Sequence, residues 1–121
     1  MAEPTIWRIR SYKLYQYAAG YRYRNRDIKA LILLFEDGGP RKIFAYFTDQ
    51  GTLPPNEIEG ERYIGWYTYD QFGPVVEMLR EESPIYAQVL IAGDAPFLAL
   101  ATDAEPVGEG EKVSSWAGQR P

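Results

Sequence analysis

The chain has neither cysteine nor histidine. Without cysteine there can be no disulfide and no thiolate metal site, and the composition fits a reducing compartment, so a cytoplasmic location is expected. Without histidine the chain lacks the one side chain that ordinarily titrates near neutral pH, and the commonest nitrogen ligand for transition metals. Ser-His-Asp and Cys-His nucleophilic systems are therefore excluded. A catalyst would have to be assembled from carboxylates, lysine, tyrosine or an oxygen-bound cation. No motif points to one, so the expected reading is not an enzyme, with no catalytic residue, no metal and no cofactor. Long apolar runs are missing too. None approaches the ~18 residues that a membrane-spanning helix needs, so no membrane partner is expected. The opening MAEPTIWRIR has no basic stretch followed by an apolar one, so no secretory signal is expected either.

What is present is aromatic and β-favouring. The 121 residues are 45% apolar and 15% aromatic, enough for one folded domain and unlike a disordered chain. The net charge of −4 is unevenly spread: residues 1–42 hold nine Lys/Arg and four Asp/Glu (+5), and residues 43–121 hold four and thirteen (−9). Such asymmetry marks an interaction face, a self-association contact between opposite charges, or strands sharing one solvated side.

Period-two alternation predicts a long first strand over residues 5–17. Trp7 and Ile9 are out of phase with Tyr12 and Leu14, and one extra residue near Arg10 or Ser11, a β-bulge, would put all four on one face. Ala18-Ala19-Gly20 reads as a three-residue hairpin loop, with Gly20 in the left-handed conformation. In that register Tyr17 pairs with Tyr21 and Tyr15 with Tyr23. These four tyrosines then share one face, and Arg22, Arg24 and Arg26 project from the other. The second strand continues through IKALILLFED, apolar at consecutive positions and so covered on both faces. The DGGP turn leads to a third strand (41–49), and a polar loop (50–61) leads to a fourth (62–69).

Phe72, Val75, Val76 and Leu79 recur at helical spacing, predicting one amphipathic helix at about 70–82, capped by Gly73 or Asp70 and closed by Ser83-Pro84. Asp70, Glu77, Glu81 and Glu82 fit its solvated side. Two strands follow, 85–92 and 96–102, joined at Gly93-Asp94. The fold class is thus α+β: an antiparallel meander of order β-β-β-β-α-β-β with the helix on a curved or partly closed sheet. Residues 1–103 form the domain and residues 104–121 a polar, flexible tail. In that tail Glu105, Glu109 and Glu111 lack the ligand order of a Ca²⁺ loop, and Trp116 reads either as a docking anchor or as an exposed ring. The charge asymmetry also allows the acidic tail to lie across the basic hairpin.

A single helix shields only part of one face, so the other needs closure of the sheet or a second copy of the chain, with a homodimer slightly favoured. The functional expectation is a small non-catalytic binding or assembly module that acts through a sheet surface and self-associates, with a further copy or another protein as partner. The alternative is a single-stranded nucleic-acid binder using the hairpin 12–29, with Tyr15, Tyr17, Tyr21 and Tyr23 stacking bases and Arg22, Arg24 and Arg26 meeting phosphates. Four strands followed by a helix is similar to the repeated unit of Whirly-type and Pur-alpha-type single-strand binders, in element order alone. Two observations place nucleic acid second: strict alternation separates rings from cations, and the net charge is acidic.

Overall fold

The structure is a computed structural model that describes residues 4–49 and 51–104. Seven strands and one short helix form an α+β fold: β1 (Thr5–Tyr23), β2 (Arg26–Glu36), β3 (Lys42–Thr48), β4 (Glu57–Glu59), β5 (Arg62–Thr68), α1 (Phe72–Glu81), β6 (Ile85–Ala92) and β7 (Ala95–Thr102). They make one sheet in the order β4-β5-β3-β2-β1-β6-β7. The sheet is mixed, which corrects the expected antiparallel meander: β5 runs parallel to β3, from Lys42↔Arg62 to Thr48↔Thr68. The physical reason lies in the loop after β3. It is long enough to cross back along the sheet, and on the way it contributes β4, which pairs antiparallel to β5 as the outermost strand. Five strands therefore precede the helix, and the likeness in element order to the Whirly-type and Pur-alpha-type unit does not hold. The acidic tail contact, the Glu105/Glu109/Glu111 segment and Trp116 lie outside the described residues.

The predicted bulge in β1 is present. Ile9 pairs with Glu36 and Ser11 with Phe35, so Arg10 is the extra residue. Trp7, Ile9 and Tyr12 consequently reach the same core, while Leu14, in phase with them, stays largely exposed. The expected hairpin loop at Ala18–Gly20 is not the turn. β1 runs on to Tyr23, and the chain reverses at Arg24-Asn25, both with positive φ (55° and 63°), a two-residue turn whose twist suits a hairpin. Residues 17–20 instead form a wide irregularity: Gln16 pairs with Ala30 and Tyr21 with Ile28, leaving four residues opposite one. Gly20, at φ 91°, takes the conformation that this bend demands. The expected pairings of Tyr17 with Tyr21 and Tyr15 with Tyr23 are replaced accordingly: Tyr15 pairs with Leu31, Tyr21 with Ile28 and Tyr23 with Arg26.

β2 carries its own bulge at Lys29, between Ile28↔Thr48 and Ala30↔Phe47. The phase reverses there, which sets Ile28 on the same face as Leu31, and beyond it ordinary alternation divides the consecutive apolar residues between two cores. Ala30, Ile32 and Leu34 join Trp7, Ile9, Phe47 and Ile85 beneath α1. Ile28 and Leu31 join Tyr46, Ile64 and Trp66 on the opposite face. Helix α1 presents Phe72, Val75, Val76, Met78 and Leu79 to the first core, as its spacing predicts. It is shorter than expected, because Tyr69–Gln71 form a 3-10 turn and Gln71 is the cap residue. Asp70 instead accepts the Thr68 hydroxyl.

The two edges of the sheet approach each other on the helix side. Asn56 takes the Trp66 amide on its Oδ1 (3.1 Å) and donates its Nδ2 to the Pro96 carbonyl (3.2 Å), tying β5 to the start of β7. Gly65 has no side chain because the Leu98 methyl stands 3.2 Å from where its Cβ would be. At the β2–β3 turn, Arg41 grips Glu36 through its backbone N (3.0 Å), Nε (3.1 Å) and Nη2 (2.9 Å), and its guanidinium lies 4.9 Å from the Trp7 ring.

Candidate binding surface on the outer face of the sheet

The face opposite α1 is where the sequence-predicted residues converge. The bends at residues 17–20 and Lys29 fold the β1–β2 hairpin tip back over this face, across β3 and β5 toward β4. Tyr23 stacks on Tyr46 of β3 (4.7 Å, 20°) and on Trp66 of β5 (6.0 Å, 19°). Tyr46 in turn stacks on Trp66 (5.2 Å) and Phe44 (6.4 Å). A second row runs along β1, with Tyr15 against Tyr17 (6.3 Å) and Tyr17 against Tyr21 (5.1 Å). All four predicted tyrosines thus lie on one face, but the bends bring them there and the expected register does not.

The arginines do not share a separate face. Arg24 sits in the turn, its guanidinium 5.1 Å from the Tyr23 ring. It donates to Glu57 and reaches Glu59 at 3.6 Å, so the tip is clamped to the far edge strand. Arg22 pairs with Asp27 (3.1 Å) in the open, and Arg26 is half-buried beside Gly51 and Thr52. Alternation could not foresee this, because a turn residue belongs to neither face. Residues outside the expected set of four tyrosines and three arginines complete the surface. Lys13 lies 5.3 Å from the Tyr15 ring and Arg62 4.9 Å from the Phe44 ring. Phe44, Tyr46 and Trp66 were legible only as strand residues; the alternation of Phe44 with Tyr46 was the available signal.

Burial has an electrostatic consequence. Tyr46 is 5% exposed, and desolvation, aided by the neighbouring phenols of Tyr23 and Tyr21, pushes its pKa up to about 12. Tyr17 is raised by burial first and then by Tyr21 and Tyr15. The hydrogen bond that Arg24 donates to Glu57 raises the pKa of its guanidinium. Tyr17 and Tyr46 are therefore held as neutral phenols and Arg24 as a cation. Its rings lie face to face, and cations close the ladder at Tyr15, Tyr23 and Phe44. Ring faces taken up in this way pack the hairpin tip onto the sheet.

This packing shields the second core, for which sheet closure or a second copy was expected. Elsewhere the outer face is less covered. Ile6 is 54% and Phe97 68% exposed. Among the described residues no group of three or more Asp or Glu is placed to hold a metal ion, and no helix is long and apolar enough to cross a membrane. No family model, curated protein or solved structure matches the chain.

Proposed function

We propose that the chain is a small non-catalytic binding and assembly module that works through its sheet surface and self-associates. The observation that carries this reading is the bare apolar area on the outward side of β1, β6 and β7. Register sets Phe97 opposite Leu90, and Ile6, Gln88 and Ala99 in the adjacent row, so the exposed Phe97 and Ile6 flank one patch. β7, the edge strand, is APFLALAT and carries no charge. Edge strands of soluble proteins are ordinarily blunted by charge, proline or cover. Here Pro96 and Asn56 guard only the start of β7. A second copy related by a two-fold axis would place this patch against itself and remove Phe97 and Ile6 from water. Molar mass measured by sedimentation over a range of protein concentrations tests this. The wild type is expected to dimerise and Phe97→Asp to shift toward monomer; a wild type that stays monomeric at every concentration refutes it.

A second reading, single-stranded nucleic-acid binding, gains from Lys13, Arg24 and Arg62 lying against the rings. It ranks lower because the ring faces that would stack bases are already stacked on one another. Oligonucleotide titration at low and moderate salt separates the two. Binding that Tyr15→Ala with Tyr23→Ala abolishes would favour the second reading.

A further inference from the structure

We propose that the open edge of β1 between its two bulges is a docking site for an extended peptide of alternating acidic and apolar residues, which adds there as a strand. This surface is distinct from the β6–β7 patch. β1 pairs with β6 only from Thr5 to Ile9, and β6 begins at Ile85, opposite Ile9. From Arg10 onward no strand among the described residues lies on that side. Between the bulge at Arg10 and the irregularity after Gln16, the pairing with β2 is regular from Ser11↔Phe35 to Gln16↔Ala30. This leaves a straight edge six residues long. Every second residue of a strand turns its N–H and C=O to one side, so this edge presents unpaired backbone groups in line with β6. An extended segment can complete them, as in other strand-addition complexes.

Charge selects the partner. Arg8, Arg10 and Lys13 on β1, and Arg80 across the adjoining cleft, have no ion pair among the described residues, whereas Arg22, Arg24, Lys29, Arg41 and Arg62 all have one. The cleft, about 530 Å³, opens where β6 stops; Arg8, Arg10 and Arg80 line it together with the apolar Leu79 and Ile85. Asp37 and Glu82 also line it, so three cations face two carboxylates there, and Lys13 adds a fourth cation further along the edge. Ser11, Lys13 and Tyr15 face outward, and Tyr12 and Leu14 face the helix side. A partner strand would therefore set carboxylates beside Lys13 and the arginines, and apolar side chains beside Tyr12 and the exposed Leu14.

The test is fluorescence anisotropy with a labelled octapeptide of alternating Glu and Val, read against an alternating Lys-Val peptide, on the full chain. The Glu-Val peptide is expected to bind saturably, and more weakly in high salt. Arg10→Glu with Lys13→Glu should weaken it by about tenfold or more, while Arg22→Glu leaves it unchanged. Methylating alternate peptide nitrogens, which keeps every side chain, should abolish binding, because it removes the ladder donors. Absence of saturable binding at millimolar peptide, equal binding of the Lys-Val peptide, or full binding of the methylated peptide overturns the proposal. So does a chain that binds only after Glu105→Gln, Glu109→Gln and Glu111→Gln, since its own acidic segment would then hold the edge.

Discussion

Replacing Tyr23 with alanine should release the hairpin tip from the outer face and uncover the second core. Tyr23 makes two stacked contacts, with Tyr46 at 4.7 Å and Trp66 at 6.0 Å. Each aromatic pair contributes about 0.5–1.5 kcal/mol beyond area burial, so the two together supply about 2 kcal/mol. The ring is half-buried, and about half of the ~1.5–3 kcal/mol that full burial of such a side chain contributes adds about 1 kcal/mol. The expected loss is about 3 kcal/mol in urea denaturation. Tyr21→Ala is the comparison: Tyr21 is exposed and stacks only on Tyr17, so it should cost less than about 1 kcal/mol.

A second readout isolates the cause. With Trp7→Phe and Trp116→Phe, Trp66 becomes the sole tryptophan, because the chain has three, and excitation beyond the tyrosine band isolates it. Trp66 is 6% exposed beneath Tyr23, so Tyr23→Ala should redden its emission and raise its quenching by acrylamide in the folded protein. A loss below about 1 kcal/mol with unchanged quenching would refute the idea that the tip shields this core.

Three other outcomes are expected. Tyr46 stays neutral up to about pH 12 in the fold but ionises near 10 when unfolded, so its contribution is complete below pH 10 and disappears as pH rises toward 12; urea midpoints and tyrosinate absorbance across that range check it, and Tyr46→Phe should flatten the decline. Hydrogen bonds from Arg41 hold the Glu36 pKa below the ordinary carboxylate value, so Glu36→Gln should cost about 1 kcal/mol at neutral pH. That deficit should vanish as acid titrates Glu36 through its lowered value, because the contribution exists only while the carboxylate is charged. Asn56→Ala removes both bonds joining β5 to β7 and should lower stability by about 1–2 kcal/mol, with faster amide exchange at Trp66.

Which parts of this architecture could be read from the chain follows from the range of the forces involved. The bulge at Arg10 was legible because Trp7 and Ile9 fall out of phase with Tyr12, and a sheet with one buried side must correct that locally. The inward face of α1 was equally local, set by Phe72, Val75, Val76 and Leu79. The turn at Arg24-Asn25 was not legible. Ala-Ala-Gly is the stronger loop signal, and Arg24 tolerates its positive φ in a site where Tyr23, Glu57 and Glu59 hold it, the carboxylates more than thirty residues away. The parallel pairing of β5 with β3 depends likewise on the crossover path of the loop before it, which carries no periodic pattern. Of the candidate surface, the four tyrosines were readable as one face. Their partners on β3 and β5 were hidden, because a strand that is apolar on both parities does not say which ring meets which neighbour.

The bends that fold the hairpin tip also leave the edge of β1 without a neighbouring strand among the described residues, and this separates the two surfaces energetically. Residues 17–20 carry the strand away onto the outer face, where Tyr23 and Arg24 anchor it, so the tip does not lie along Ser11–Gln16. A peptide added to that edge would touch Lys13 and Tyr15 at one margin of the tyrosine row, but neither Tyr46 nor Trp66. Strand addition should therefore proceed with the tip closed, whereas base stacking would require it to open and lose the two Tyr23 stacks. By that accounting nucleic acid starts about 2 kcal/mol behind a peptide, roughly thirtyfold in affinity. Tyr23→Ala should leave peptide binding unchanged.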